Sequence, residues 1–219
     1  MIPSMSLESP HSSELQPPAE HPSSGGRRRR LLEDPVSIRA LAHPLRLELQ
    51  GLVGRAGTLT AAEAARELGI SQALASHHLR QLGKYGFVEQ VAGEDNRSRP
   101  WRLTSTSQSW QGADATPEGR AAADVLEQLI AEQGLGRLIA WQERRGAWPQ
   151  QWRDHAGIGR TTVYLTVEEF GELAQAIDGL VMRYAEERPI DDATSRPAGS
   201  VPVDFTITAV PVSRTPQGG

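Results

Sequence analysis

Gln72, Ala73, Ser76, His77 and Arg80 are short, polar or cationic, and at 100° per residue they share one side of a helix. Amide, hydroxyl, imidazole and guanidinium groups on one helix face suit the donor and acceptor pattern that base edges show in a DNA major groove. Leu74 turns outward by the same count and is apolar enough to lie on a thymine methyl. Further along, Arg97 and Arg99 could reach a phosphate or a minor groove, although Glu94 and Asp95 beside them weaken the local field. The plainer reading of those two arginines is a solvated hairpin tip.

The elements needed to hold these groups can be read from the flanking residues. Thr60 with Glu63 three residues later forms a capping box, so a short helix starts at Ala61. Ala64, Ala65 and Leu68 give it a small apolar face, Gly69 can take the left-handed conformation that ends it, and Ile70 plugs the turn. Ser71 caps a second helix whose Ala75, Leu79 and Leu82 face inward. Two helices so joined form a helix-turn-helix. Beyond Gly86, Phe87 to Val91 and Trp101 to Thr104 are β-prone and flank the turn-rich AGEDNRSRP, which predicts a hairpin wing. Upstream, Asp34 before Pro35 opens a helix, His43 and Pro44 interrupt it, and Leu45, Leu47, Leu49, Leu52 and Val53 mark a second one ended by Gly54 and Gly57.

Composition removes other chemistries. The chain has no cysteine, which excludes thiolate metal ligation and thiol redox sensing. His77 and His78 are adjacent, so they point about 100° apart on a helix and do not readily share an ion. His78 reads as a partly buried brace. His155 beside Asp154 is too little for a metal site, and no nucleophile with its base is visible, so neither enzyme chemistry nor a cofactor is expected. No apolar run is long enough to span a bilayer, and the first residues lack a basic start and an apolar stretch; a cytoplasmic protein without membrane contact is expected, nucleoid-associated when on DNA.

The net charge of −4 is unevenly distributed. Met1 to Arg30 carries four arginines against three glutamates, and Leu31 to Trp110 nine basic against eight acidic residues, each +1. Gln111 to Gly219, with ten basic and sixteen acidic residues, is −6. A basic surface on the helix-turn-helix and wing therefore remains available for phosphates.

Residues Asp34 to Thr104 resemble the ArsR-type bacterial winged helix-turn-helix regulators. LAHPLRLELQGLV (Leu41 to Val53) is similar to that family's opening helix pair, ISQALASHHLRQL (Ile70 to Leu82) to its recognition helix, and KYGFVEQVAGEDNRSRPWRL (Lys84 to Leu103) to its wing. The resemblance implies double-stranded DNA as partner, a helix after the wing at a homodimer interface, and helix bracing by Arg46 and His78, with a phosphate contact as the second, lesser reading for Arg46. TAAEAARELG lacks the paired cysteines with which many members sense metals, so thiolate sensing is not carried over.

The expected fold class is mainly α with some β. Residues 1–30 form a tail that composition marks as disordered, ending in the run Arg27 to Arg30, read either as a solvated linker or as a phosphate-contacting arm. Residues 31–108 form the winged helix-turn-helix. Residues 116–155 form a helical dimerisation region: Thr116 and Pro117 start a helix striped by Ala122, Val125, Leu126, Leu129 and Ile130, Gly134 and Gly136 permit a bend, and Trp110, Trp141, Trp148 and Trp152 gather nearby. Residues 160–213 form a strand-helix-strand unit, with TTVYLT (Thr161 to Thr166) and VPVDFTITAVPV (Val201 to Val212) as strands, and a helix from Val167 to about Arg188 striped by Phe170, Leu173, Ala174, Ile177, Val181 and Tyr184. Residues 214–219 are a second disordered tail. The expected function is a dimeric, DNA-binding transcriptional repressor with room for a small-molecule or protein effector. The alternative is a winged-helix scaffold that binds protein and no specific DNA.

Overall fold

A computed structural model describes residues 29–93, 99–110, 113–190 and 192–212. The tail before Arg29 (with Arg27 and Arg28), the wing tip with Arg97, and the terminal tail lie outside the described residues.

The chain is mainly helical. Its elements run β1 (Arg30–Leu31), α1 (Pro35–Leu41), α2 (Pro44–Ala56), α3 (Ala61–Leu68), α4 (Gln72–Lys84), β2 (Val88–Gln90), β3 (Trp101–Leu103), β4 (Gln108–Ser109), α5 (Pro117–Arg144), α6 (Gln150–His155) and α7 (Val167–Glu187), with short 3-10 turns between some of them. Local chemistry sets most of the boundaries. The Asp34 carboxylate accepts the Val36 and Ser37 amides at the start of α1, and His43 Nδ1 accepts Leu45 N–H at the start of α2. The Thr60–Glu63 box is present in both directions, and Gly69 ends α3 at φ 65°. Gly57 terminates α2, but Gly54 does not: it is buried inside the helix, where a Cβ would lie 3.0 Å from Leu103 and 3.2 Å from Ile190.

One core fills the N-terminal half. Ile38 and Leu41 of α1, Leu49 and Val53 of α2, Ala64 of α3, Ala75, Leu79 and Leu82 of α4, Phe87 just before β2, and Leu126 of α5 are all but inaccessible. The face of α5 that carries Ala122, Ala123 and Leu126 packs against α1, so α5 completes this core. The wing is an antiparallel ladder pairing Val88 with Leu103, Glu89 with Arg102 and Gln90 with Trp101, and Leu59 bridges to Trp101 as a third partner. A parallel pairing of β1 with β4 closes the domain's other edge.

Three expectations for the C-terminal half need correction. First, α5 runs as one continuous helix from Pro117 to Arg144, so Gly134 and Gly136 do not interrupt it. Second, Trp110 donates its Nε1 proton to Glu127, while Trp141, Trp148 and Trp152 meet in tilted and edge-to-face contacts at centroid distances of 5.3 and 5.9 Å. Third, Thr161 to Thr166 and Val201 to Val212 form no strand, because a strand exists only where a second chain segment accepts its hydrogen bonds. The second segment instead lies along α5: a Cβ at Gly134 would sit 2.5 Å from Thr206 Oγ1, and Arg137 pairs with Asp204. The helix between them forms as read, with its Thr166–Glu169 capping box, yet none of its residues is buried.

Candidate nucleic-acid interface

The candidate recognition surface is built on α4. Ser71 Oγ accepts Leu74 N–H and fixes the helix start, and Ala75, Leu79 and Leu82, inaccessible to solvent, set the rotation of the helix about its axis. Gln72, Ala73, His77 and Arg80 are therefore turned out to solvent, and Leu74 is 41% exposed beside them. Ser76, placed with them by sequence, is only half-buried and sits nearer the edge of the face. Gln72, Ala73 and Leu74 occupy the first turn, where a helix end-on in a groove meets base edges.

Two contacts align this helix with the wing. At Gly83 a Cβ would lie 2.7 Å from the Trp101 ring, so the absence of a side chain lets the indole of β3 press against the helix. Phe87 N–H donates to the Leu82 carbonyl at 2.9 Å, leading the chain from the helix into β2. Glu89 and Arg102 pair across the ladder at 2.8 Å, which commits that arginine within the wing. Arg99, before β3, is exposed with no partner among the described residues. Arg97 lies outside the described residues.

Behind α4 is a polar seam that sequence reasoning reached only in part. His78 is 7% exposed and stacks on His43 at a centroid distance of 4.7 Å, with His77 at 5.2 Å from it on the solvent side. Burial holds the His78 imidazole below its ordinary pKa, and the neighbouring His43, His77 and Arg46 push the same way. His43 is lowered by burial and then by Arg46. Arg46 does brace the packing: its Nη2 donates to the Arg39 carbonyl at 3.1 Å and ties α2 to the end of α1. Arg30 was expected as linker or arm; its guanidinium instead donates to the Gly86 and Tyr85 carbonyls and lies 4.6 Å from the Phe87 ring centroid. Arg29 pairs with Asp178. No signal in a run of four arginines separates these roles.

Residues 41–91 match the family described as Helix-turn-helix domain. The chain thus carries a helix-turn-helix domain spanning α2, α3, α4 and β2, the module that DNA-binding transcription regulators use. Among solved structures, a mutant MarR from E. coli is 16% identical over 68% of this chain and 88% of its own, with a TM-score of 0.28. The heme sensor PefR in complex with heme and carbon monoxide is 19% identical over 68% of this chain and 78% of its own, also at 0.28. A mutant ZitR from Lactococcus lactis is 16% identical over 64% and 73%, again at 0.28. No curated protein matches the chain. Among the described residues, no helix is long and apolar enough to cross a membrane.

Proposed function

We propose that this chain is a sequence-specific, DNA-binding transcriptional regulator of the ArsR type, acting in the cytoplasm as a dimeric repressor without thiolate metal sensing. The observation that carries this reading is the outward face of α4, where Gln72, Ala73, His77 and Arg80 stand together in solvent beyond a capped first turn. The wing beside it offers Arg99 to the phosphates. No catalysis is proposed, and an effector, small molecule or protein, would act on the C-terminal half.

The dimer rests on exposed apolar surface. Leu173, Leu180 and Tyr184 of α7 are 42, 59 and 51% exposed, and Leu135 and Ile139 of α5 are 57 and 48% exposed. Two helices with apolar side chains so exposed favour association with a second copy. The deciding experiment is a salt titration of binding to the chain's own promoter region and to random duplex. A regulator holds the promoter fragment more tightly at every salt, with a steep dependence on salt. The second reading, a winged-helix scaffold for proteins, draws on the +1 charge of residues 31–110. Equal, weak retention of all fragments would favour the scaffold. Repression itself is tested by a reporter behind that promoter.

A further inference from the structure

Arg39 of α1 and Arg46 of α2 open onto a single cleft of about 240 Å³, walled otherwise by Val36, Ala40, Gln81 and Tyr85. No carboxylate lines it, and neither arginine forms an ion pair among the described residues. Of the Arg46 donors, Nη2 is spent on the Arg39 carbonyl and Nε is buried without a partner, which leaves Nη1 unbonded among the described residues. Asp34 feels the Arg39 charge, but its carboxylate is committed to the amides that start α1. The side chains coupled electrostatically to Arg46 are His43 at the start of its own helix, His78 on α4 and Tyr85 at the end of α4, and none of these is a carboxylate. A half-buried guanidinium and an exposed one on a cleft that no described carboxylate lines form an electrostatic arrangement that lacks its complement among the described residues.

We propose that this cleft is an oxyanion site, taking one phosphate or carboxylate group on the guanidiniums of Arg39 and Arg46. Val36 and Ala40 add an apolar wall, and the group would have room for a small substituent. Gln81 belongs to α4 and Tyr85 caps it, so whatever occupies the cleft touches the recognition helix directly. The oxyanion has two sources. One is a backbone phosphodiester of a duplex seated against α4, which rests on the proposed function; the other is a free organic anion, which does not.

The test uses the full chain with isotope-labelled arginines, titrated at constant ionic strength with dimethyl phosphate and, separately, with acetate. The Nε–H signals of Arg39 and Arg46 are followed, together with the His43 and His78 titrations. An occupied cleft gives saturable arginine shifts and raises both histidine midpoints, since the anion offsets the field of Arg46. Arg39→Gln, at an exposed position that does not threaten the fold, should weaken this binding roughly tenfold, the value of one charge-assisted hydrogen bond. In a parallel arm, the salt dependence of random-duplex binding is compared for the wild type and Arg39→Gln. Saturable shifts with an unchanged salt slope assign a free anion. A slope lower by roughly one ion in the variant, with arginine shifts induced by duplex, assigns the backbone phosphate. Absence of saturable shifts with either small anion, together with an unchanged slope, overturns the site. A chain that binds no duplex removes the regulator reading, and the free-anion arm still decides the cleft.

Discussion

Arg30 Nη1 donates to the Gly86 carbonyl at 2.7 Å, while Nη2 of the same guanidinium meets the Tyr85 carbonyl at 2.8 Å. These carbonyls close the C-terminal end of the recognition helix, where the helix dipole is negative and an arginine fork is well matched. The strand β1, paired with β4, thereby fixes the end of α4 that points away from its capped start.

Arg30→Ala should destabilise the chain by about 1.5–3 kcal/mol, the range for hydrogen bonds to a charged group that is not replaced. Urea unfolding measures this. Arg30→Lys should recover only part of it, since an ammonium cannot hold two carbonyls in one plane or cover Phe87. Equal stability of the alanine variant and the wild type would show the contact to be idle.

The His43–His78 stack gives the domain a dependence on acid. Both imidazoles are held below the ordinary value of 6.5 by burial and by neighbouring positive charge. The unfolded chain therefore takes up protons that the folded one refuses. Stability from this source is fully present above about pH 6.5 and falls as the pH drops below it, levelling at the lowered folded values. Denaturant midpoints between pH 8 and pH 5 should decline in the wild type, and the decline should shrink in His78→Gln.

Reading and gripping should fail differently on DNA. Gln72→Ala and His77→Ala should each cost on the order of 1–3 kcal/mol on the cognate site and spare random duplex. Arg99→Ala, and by the same reasoning Arg97→Ala, should weaken all sequences alike and lower the salt slope by roughly one ion per lost contact. Filter binding on operator and scrambled fragments across salt separates the two patterns. Wing variants that change sequence preference would reverse the assignment.

Gly54 tests whether the segment after α7 docks on the helix-turn-helix. A Cβ there meets Leu103 and Ile190 at 3.0 and 3.2 Å, and Arg196 donates to the Ile190 carbonyl at 2.6 Å and the Arg55 carbonyl at 3.4 Å. Gly54→Ala gains helix propensity but crowds both side chains. In an Ile190→Ala background the same substitution should be more favourable by about 0.5–1 kcal/mol, a coupling expected only of residues in contact. Strict additivity would mean that Ile190 does not sit there in solution.

The apolar face of α7 carries the last prediction. Leu173→Glu with Leu180→Glu changes only exposed positions, so the helical content and unfolding midpoint should hold while sedimentation shifts from dimer to monomer. Operator affinity should fall with it, through loss of the second linked half-site. A dimer that survives both charges places the interface elsewhere.

The amino-acid sequence by itself determined what is decided within a few residues. The caps at Asp34, Thr60, Ser71, Thr116 and Thr166, the left-handed Gly69 and the inward stripe of α4 depend on hydrogen bonds and side-chain periods of one or two turns, and all are as their residues imply. That stripe also fixes which face of α4 meets solvent, so Gln72, Ala73, His77 and Arg80 could be placed from the wheel. Only the tertiary structure decided the rest. Arg30 finds its acceptors 55 and 56 residues away, Gly83 is a glycine because Trp101 arrives from the wing, and Arg39 and Arg46 share a cleft because Gln81 of α4 and Tyr85 at its end close it from far along the chain. The β-prone runs at 161–166 and 201–212 show the same limit from the other side. Their composition suits a pleated surface, but a strand is a pairing between distant segments, and composition cannot supply the partner.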